Sequence, residues 1–227
     1  MSWYDIISKR FIEKNNQRSL DYLIYSGDTK ITVEKFRKSF KKLLQFNSKK
    51  VLEIGCGTGA VLYLFYKNGS EVYGIDFVSD CVKCAQNAIP NGHFCISEAK
   101  NIPFGAEKFD LILSNSAFQY FESVDYVKTV IYNMLSRIDD NGECIISDLF
   151  CKSKKEEYKQ FRTSELGITE DEWKKRYDLV THLYLDKIEI KKYIEDLGYV
   201  VKIEENSLFE SDHRKFRFDL KIRKGLI

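Results

Sequence analysis

The sequence predicts an α/β protein with a doubly wound, mostly parallel sheet, and three observations carry that expectation. Apolar strand patterns alternate with helical ones from Lys50 onward. One strand stops abruptly in glycines that open a helix, at Val51-Leu-Glu-Ile-Gly-Cys-Gly-Thr-Gly59. Turn clusters separate the patterns, at Asn68-Gly69, Pro90-Asn-Gly92 and Asp139-Asp-Asn-Gly142. Such alternation indicates a parallel sheet covered on both faces. Strand, glycine turn and helix form the start of a cofactor-cradling βαβ unit.

Taken in order, residues 1–46 hold no strand signal and read as a helical cap. Within them Val33, Phe36, Phe40, Leu43 and Leu44 share one helical face. Strands are expected at Val51–Ile54, Glu71–Ile75, His93–Ile96, Phe109–Ser114 and Glu143–Ser147. Residues 47–149 thus form the core of a single domain. Residues 150–186 are charged and aromatic without strand periodicity, and read as a lid or substrate insertion. Residues 187–227 close the chain with a helix over Lys187–Leu197, stopped by Gly198, and strands at Tyr199–Ile203 and Lys215–Ile222.

The 227 residues, 44% hydrophobic and 31% charged, allow one large core. Lys and Arg number 36 against 34 Asp and Glu, too even a balance to indicate a nucleic-acid protein. No apolar run approaches the ~20 residues that span a bilayer. The N-terminal stretch lacks a signal-peptide pattern, so the six cysteines are expected as thiols in a reducing cytoplasm. Cys81-Val-Lys-Cys84 has ligand spacing but no second Cys or His pair beside it, so no metal is expected.

Chemistry concentrates at the glycine turn. Gly55, Gly57 and Gly59 let the backbone turn tightly and admit a ligand against bare peptide. Glu53, just before the turn, would repel a phosphate and favours a ligand bearing positive charge and hydroxyls. Asp76 ends the second strand about 20 residues past the turn, where a carboxylate accepts both hydroxyls of a ribose.

These residues resemble the class I S-adenosylmethionine-dependent methyltransferases. The family signature, acidic-x-Gly-x-Gly-x-Gly, is present as Glu53-Ile-Gly55-Cys-Gly57-Thr-Gly59. Asp76 matches its second acidic position, and Phe77 the position that packs on adenine. Glu98-Ala99 followed by Asn101-Ile-Pro-Phe104 matches the acidic-Ala pair near the adenine, with Glu for the usual Asp. Phe109-Asp-Leu-Ile-Leu-Ser-Asn115 matches strand four, and Asp140-Asn-Gly142 stands where the family has a Pro-Gly-Gly-like turn. The resemblance implies a seven-stranded Rossmann-like sheet and S-adenosylmethionine as cofactor. It also implies a cofactor site at Glu53, Gly55, Cys56, Gly57, Gly59, Asp76, Phe77, Glu98, Ala99 and Asn115. A Rossmann dehydrogenase would carry Gly-x-Gly-x-x-Gly. Here the last gap holds one residue, which argues against NAD.

The expected activity is methyl transfer to an oxygen or nitrogen of a small molecule. Where the acceptor carries a proton, a base within hydrogen-bond reach helps; a carboxylate acceptor needs none. Asp148 is a candidate at the C-terminal end of strand five. His182 is another, as a histidine near neutral pKa beside the last helix. The insertion and the cap are rich in aromatic residues, among them Trp3, Tyr4, Tyr158, Phe161, Trp173 and Tyr184. Lysines and arginines there, such as Lys152 and Arg162, give a weak indication of an anionic substrate. Two rival readings are an RNA methyltransferase and a non-catalytic cofactor-binding partner subunit. Against the first, Ser114-Asn-Ser-Ala117 has none of the prolines that typically follow strand four in base-amino methylation.

Overall fold

A computed structural model describes residues 33–44, 48–177, 182–205 and 212–225. The rest of the expected cap, including Trp3 and Tyr4, lies outside them. A seven-stranded sheet runs in the order β3-β2-β1-β4-β5-β7-β6. Its strands are β1 (Lys50–Ile54), β2 (Glu71–Asp76), β3 (His93–Ile96), β4 (Phe109–Asn115), β5 (Ile138–Phe150), β6 (Tyr199–Glu205) and β7 (Arg217–Lys224). The first five pair in parallel. β7 lies antiparallel between β5 and β6. The helices are α1 (Val33–Leu44), α2 (Ala60–Lys67), α3 (Ser79–Ala88), α4 (Val124–Leu135), α5 (Lys155–Leu166), α6 (Glu170–Tyr177) and α7 (Lys187–Asp196).

Period-two alternation along each central strand divides the core between the two faces. Val51, Val72, Leu111, Leu113 and Ile145 pack with Phe36, Phe40 and Leu43 of α1, Leu62 and Phe65 of α2, and Val82 and Ala85 of α3. Leu52, Ile54, Ile75, Ile112, Cys144 and Ile146 pack with Val127, Val130, Ile131 and Met134 of α4 and with Ile190 and Ile194 of α7. Both sides of β1, β4 and β5 are therefore dry, which is why these strands read as continuous apolar runs.

Two expectations are corrected. The Asp139–Gly142 cluster, read as a turn, lies within β5, where pairing with β4 shifts register between Phe109 and Leu111. Its polar residues 139–141 are exposed there. The last strand starts at Arg217, because Asp212–Phe216 forms a 3-10 turn first. The insertion after β5 contains two helices, α5 and α6, closed in the first case by Gly167 in the left-handed conformation. Only Tyr158 of α5 is fully buried. A helix with so narrow an apolar stripe leaves no periodic signal.

Candidate cofactor and acceptor site

The sheet reverses its winding between β1 and β4, and ligands of open α/β sheets bind beyond the carboxyl ends of the strands at such a reversal. The glycine turn lies there. The amides of Gly55 and Cys56 both donate to the Ile75 carbonyl at 2.9 Å, fixing the turn on the end of β2. A Cβ on Gly55 would stand 2.7 Å from the Cβ of Ala117, so the turn rests directly on the loop after β4. A Cβ on Gly57 would meet nothing within 4 Å, at a φ of +51°. Gly57 therefore borders open space, with its backbone bare toward it. Gly59 caps α2, and the Cys56 thiol is buried beneath the turn.

Two carboxylates flank this space. Glu53 is buried. Burial first, and the nearby Asp76 carboxylate second, hold its acid well above the usual carboxylate range, against a hydrogen bond from the Leu62 amide. Its Oε2 is buried with no hydrogen-bond partner. Asp76 accepts from the Gly57 amide at 2.8 Å on Oδ2 and from the Val78 amide at 2.9 Å on Oδ1. Burial raises its pKa, and the amides of Val78, Gly57 and Phe77 oppose that rise. A carboxylate has about four acceptor positions, so each Asp76 oxygen retains capacity for a hydroxyl. Phe77 is 45% exposed, and Ile96, the register partner of Asp76 on β3, is 59% exposed. Two large apolar side chains left in solvent beside a ribose acceptor fit the faces of a flat ring. Glu98 is exposed and ion-paired with Lys100 at 2.9 Å. Ala99 is partly buried against the core.

The far side of the space is built from the ends of β4, β5 and β7. Asn115 donates to the Ser116 hydroxyl at 3.3 Å, while its Oδ1 is buried without a partner. Ser116 and Asp148 both adopt left-handed backbone, with φ of 54° and 68°. Non-glycine residues held there in pairs mark a locally over-determined structure. The Ser116 hydroxyl donates to Asp148 Oδ2 at 2.6 Å. Arg217 makes an ion pair with Asp148 Oδ1. The Asp148 amide donates to Asp219 Oδ1 at 3.0 Å. Asp148 is thus a buried, ion-paired acceptor rather than an uncommitted surface carboxylate.

His182 lies alongside. Its ring stacks on Phe150 at 5.0 Å between centroids and lies 5.5 Å from Tyr120. The segment that carries it is pinned by backbone bonds, Leu183 N–H to the Gln119 carbonyl and Leu185 N–H to the Phe150 carbonyl, each 2.8 Å. Burial, helped by the Arg217 cation, depresses its pKa to about 4. The expectation of a histidine near neutral pKa is corrected accordingly: burial holds this ring below that range.

A family model described as a methyltransferase domain matches residues 45–195. The chain belongs to that methyltransferase family. It is 32% identical over 163 residues to an uncharacterized methyltransferase of Staphylococcus carnosus, covering 66% of this chain and 69% of that one. It is 30% identical over 118 residues to a demethylmenaquinone methyltransferase of Thermotoga maritima, covering 51% of this chain and 50% of that one. The match thus spans about half to two thirds of these two relatives. The magnesium protoporphyrin IX methyltransferase of Synechocystis, crystallised with bound S-adenosylmethionine, shares the fold at a TM-score of 0.60. That alignment covers 99% of this chain and 98% of the other at 14% identity.

The cofactor of this methyltransferase family, S-adenosylmethionine, fits the residues present. The orphaned Glu53 Oε2 suits an ammonium, the open space at Gly57 an amino-acid tail, and Asp76 a ribose. Three residues that the structure brings to these strand ends escaped the sequence reading. Ile96 was legible only as a strand end, and Ser116 only as a polar loop residue. Arg217 stood in a basic run, His213-Arg-Lys-Phe-Arg217, and nothing in the sequence set it apart from its neighbours.

Proposed function

We propose that this chain transfers a methyl group from S-adenosylmethionine to an oxygen or nitrogen of a small molecule. The observation that carries this reading is the buried, unpartnered Glu53 Oε2 beside the open face of Gly57. An unpaired buried carboxyl is costly unless a ligand completes it. When bound, the cofactor supplies a methyl group already activated by its sulfonium. The protein's residues then bind and orient. Glu53 takes the ammonium, Asp76 the ribose hydroxyls, and Phe77 with Ile96 the adenine faces, while Glu98 and Ala99 border the adenine edge. Asn115 borders the cofactor, Ser116 and His182 face the acceptor, and Asp148 holds Ser116 and Arg217 in place. The aromatic cluster of Phe150, Tyr158 and Phe216, with Phe161, Trp173 and Tyr184 against it, excludes water from the acceptor side, as a lid does.

The reading is tested by calorimetry with S-adenosylhomocysteine and with NAD. Binding of the first and none of the second is expected. Asp76→Asn should weaken S-adenosylhomocysteine at least about tenfold, the equivalent of 1.4 kcal/mol. Unchanged affinity in the folded variant would remove the ribose assignment.

A further inference from the structure

We propose that the methyl acceptor is a small carboxylic acid, ionised when bound, and that Arg217 selects it. This rests on the methyltransferase reading and adds the substrate class. Arg217 opens β7 and points its guanidinium at the end of β5, with Cζ 4.3 Å from the centroid of the Phe150 ring. It is ion-paired with Asp148, hydrogen-bonded to Tyr158, and holds its Nε buried without a hydrogen-bond partner among the described residues. A guanidinium has five N–H donors in a fixed fork and matches a carboxylate in two contacts. The residues around it leave that fork incomplete.

The location ties this cation to the reaction. Asp148 is bound to Ser116, and Ala117, the next residue, touches the glycine turn at Gly55. Arg217 is therefore linked to the glycine turn through Asp148, Ser116 and Ala117, across the ends of β4 and β5. Among the described residues, proton removal is poorly provided for at this place. The carboxylate of Asp148 is engaged by Ser116 and Arg217, and the neutral ring of His182 is a weak base. Asp219, the other buried carboxylate here, accepts the Asp148 amide. A carboxylate acceptor has no proton to remove. One of its oxygen lone pairs forms the O–CH3 bond as the methyl–sulfur bond breaks, and that electron pair stays on sulfur. The products are a methyl ester and S-adenosylhomocysteine, with no proton moved and no further reactant. The partly buried aromatic rings of Tyr184 and Phe161 leave the rest of the acceptor in apolar surroundings.

The test uses the full chain loaded with S-adenosylhomocysteine, and benzoate against its neutral isostere benzamide as probes. Benzoate should bind at least about tenfold more tightly and shift the Arg217 Nε–H resonance in a nitrogen-15 spectrum. Arg217→Gln should abolish the preference, with S-adenosylhomocysteine affinity within about twofold of wild type. Arg217→Lys should retain part of it. Should Arg217→Gln fail to fold because Asp148 is stranded, the paired variant Asp148→Asn/Arg217→Gln restores neutrality and should show the same loss. Equal binding of the two probes to wild type, absence of benzoate binding, or a preference that survives Arg217→Gln or the paired variant would overturn the proposal. The cofactor reading would stand in each of these cases. Failure of S-adenosylhomocysteine to bind wild type would instead overturn the methyltransferase reading beneath it.

Discussion

In the proposed site, Glu53 is the residue whose ionisation would respond most to the ligand's ammonium. Its acid is held well above the usual carboxylate range, mainly by burial. An arriving ammonium favours the charged form and expels the proton. S-adenosylhomocysteine binding should therefore release protons, seen as different calorimetric heats in buffers of different ionisation enthalpy. Identical heats would count against Glu53 as the ammonium partner. Glu53→Gln should abolish the proton release and weaken binding about tenfold or more, since a charge-assisted hydrogen bond contributes roughly 1.5–3 kcal/mol. The two glycines nearest the ligand should separate folding from binding. Gly55→Ala drives a Cβ into Ala117 and should lower the melting temperature. Gly57→Val meets no neighbour in the free protein and should fold with only the strain of a positive φ, yet lose cofactor. If Gly57→Val keeps wild-type affinity, the space at Gly57 does not hold the amino-acid tail.

Among the elements, α2 and α5 are opposites. α2 buries Val61, Leu62, Leu64 and Phe65 under the sheet. Phe65→Ala should destabilise by about 3–5 kcal/mol, read from the denaturant midpoint at constant slope. α5 is attached through Tyr158 and Phe161, against Phe150 and Phe216. Ion pairs at its surface, such as Lys154 with Glu157, stabilise by about 0–1 kcal/mol. Amide exchange in α5 should therefore be much faster than in α4, whose inner face is buried from Val127 to Leu135. Equal protection of the two helices would show that the insertion is a rigid part of the core. The same contrast explains legibility. α2 was readable as the apolar helix opened by the glycine turn, whereas α5 offers one buried aromatic and a polar remainder.

At the scale of the molecule, His182 couples fold stability to pH. Its folded pKa of about 4 lies below the unfolded value near ~6.5. Between these values the unfolded chain binds the proton and the native ring does not, so stability falls as pH drops through that window. His182→Gln should flatten this part of the pH–melting curve, and an unchanged slope would mean that the ring is solvated. Turnover on the true acceptor should show no limb near pH 6.5 that His182→Gln removes. The sequence alone determined the strands of the sheet, the glycine turn and the order of acidic positions after it. Those depend on neighbours within a few residues: apolar alternation, glycine backbone and the end of a strand. Tertiary structure decided which polar residues became chemically unusual. Asp148 and Arg217 are 69 positions apart and meet only because β7 returns antiparallel beside β5. His182 loses its water to Phe150 and Tyr120 from two other elements. A pKa or an orphaned donor is set by whatever the fold places within a few ångströms, and sequence spacing carries no record of that distance.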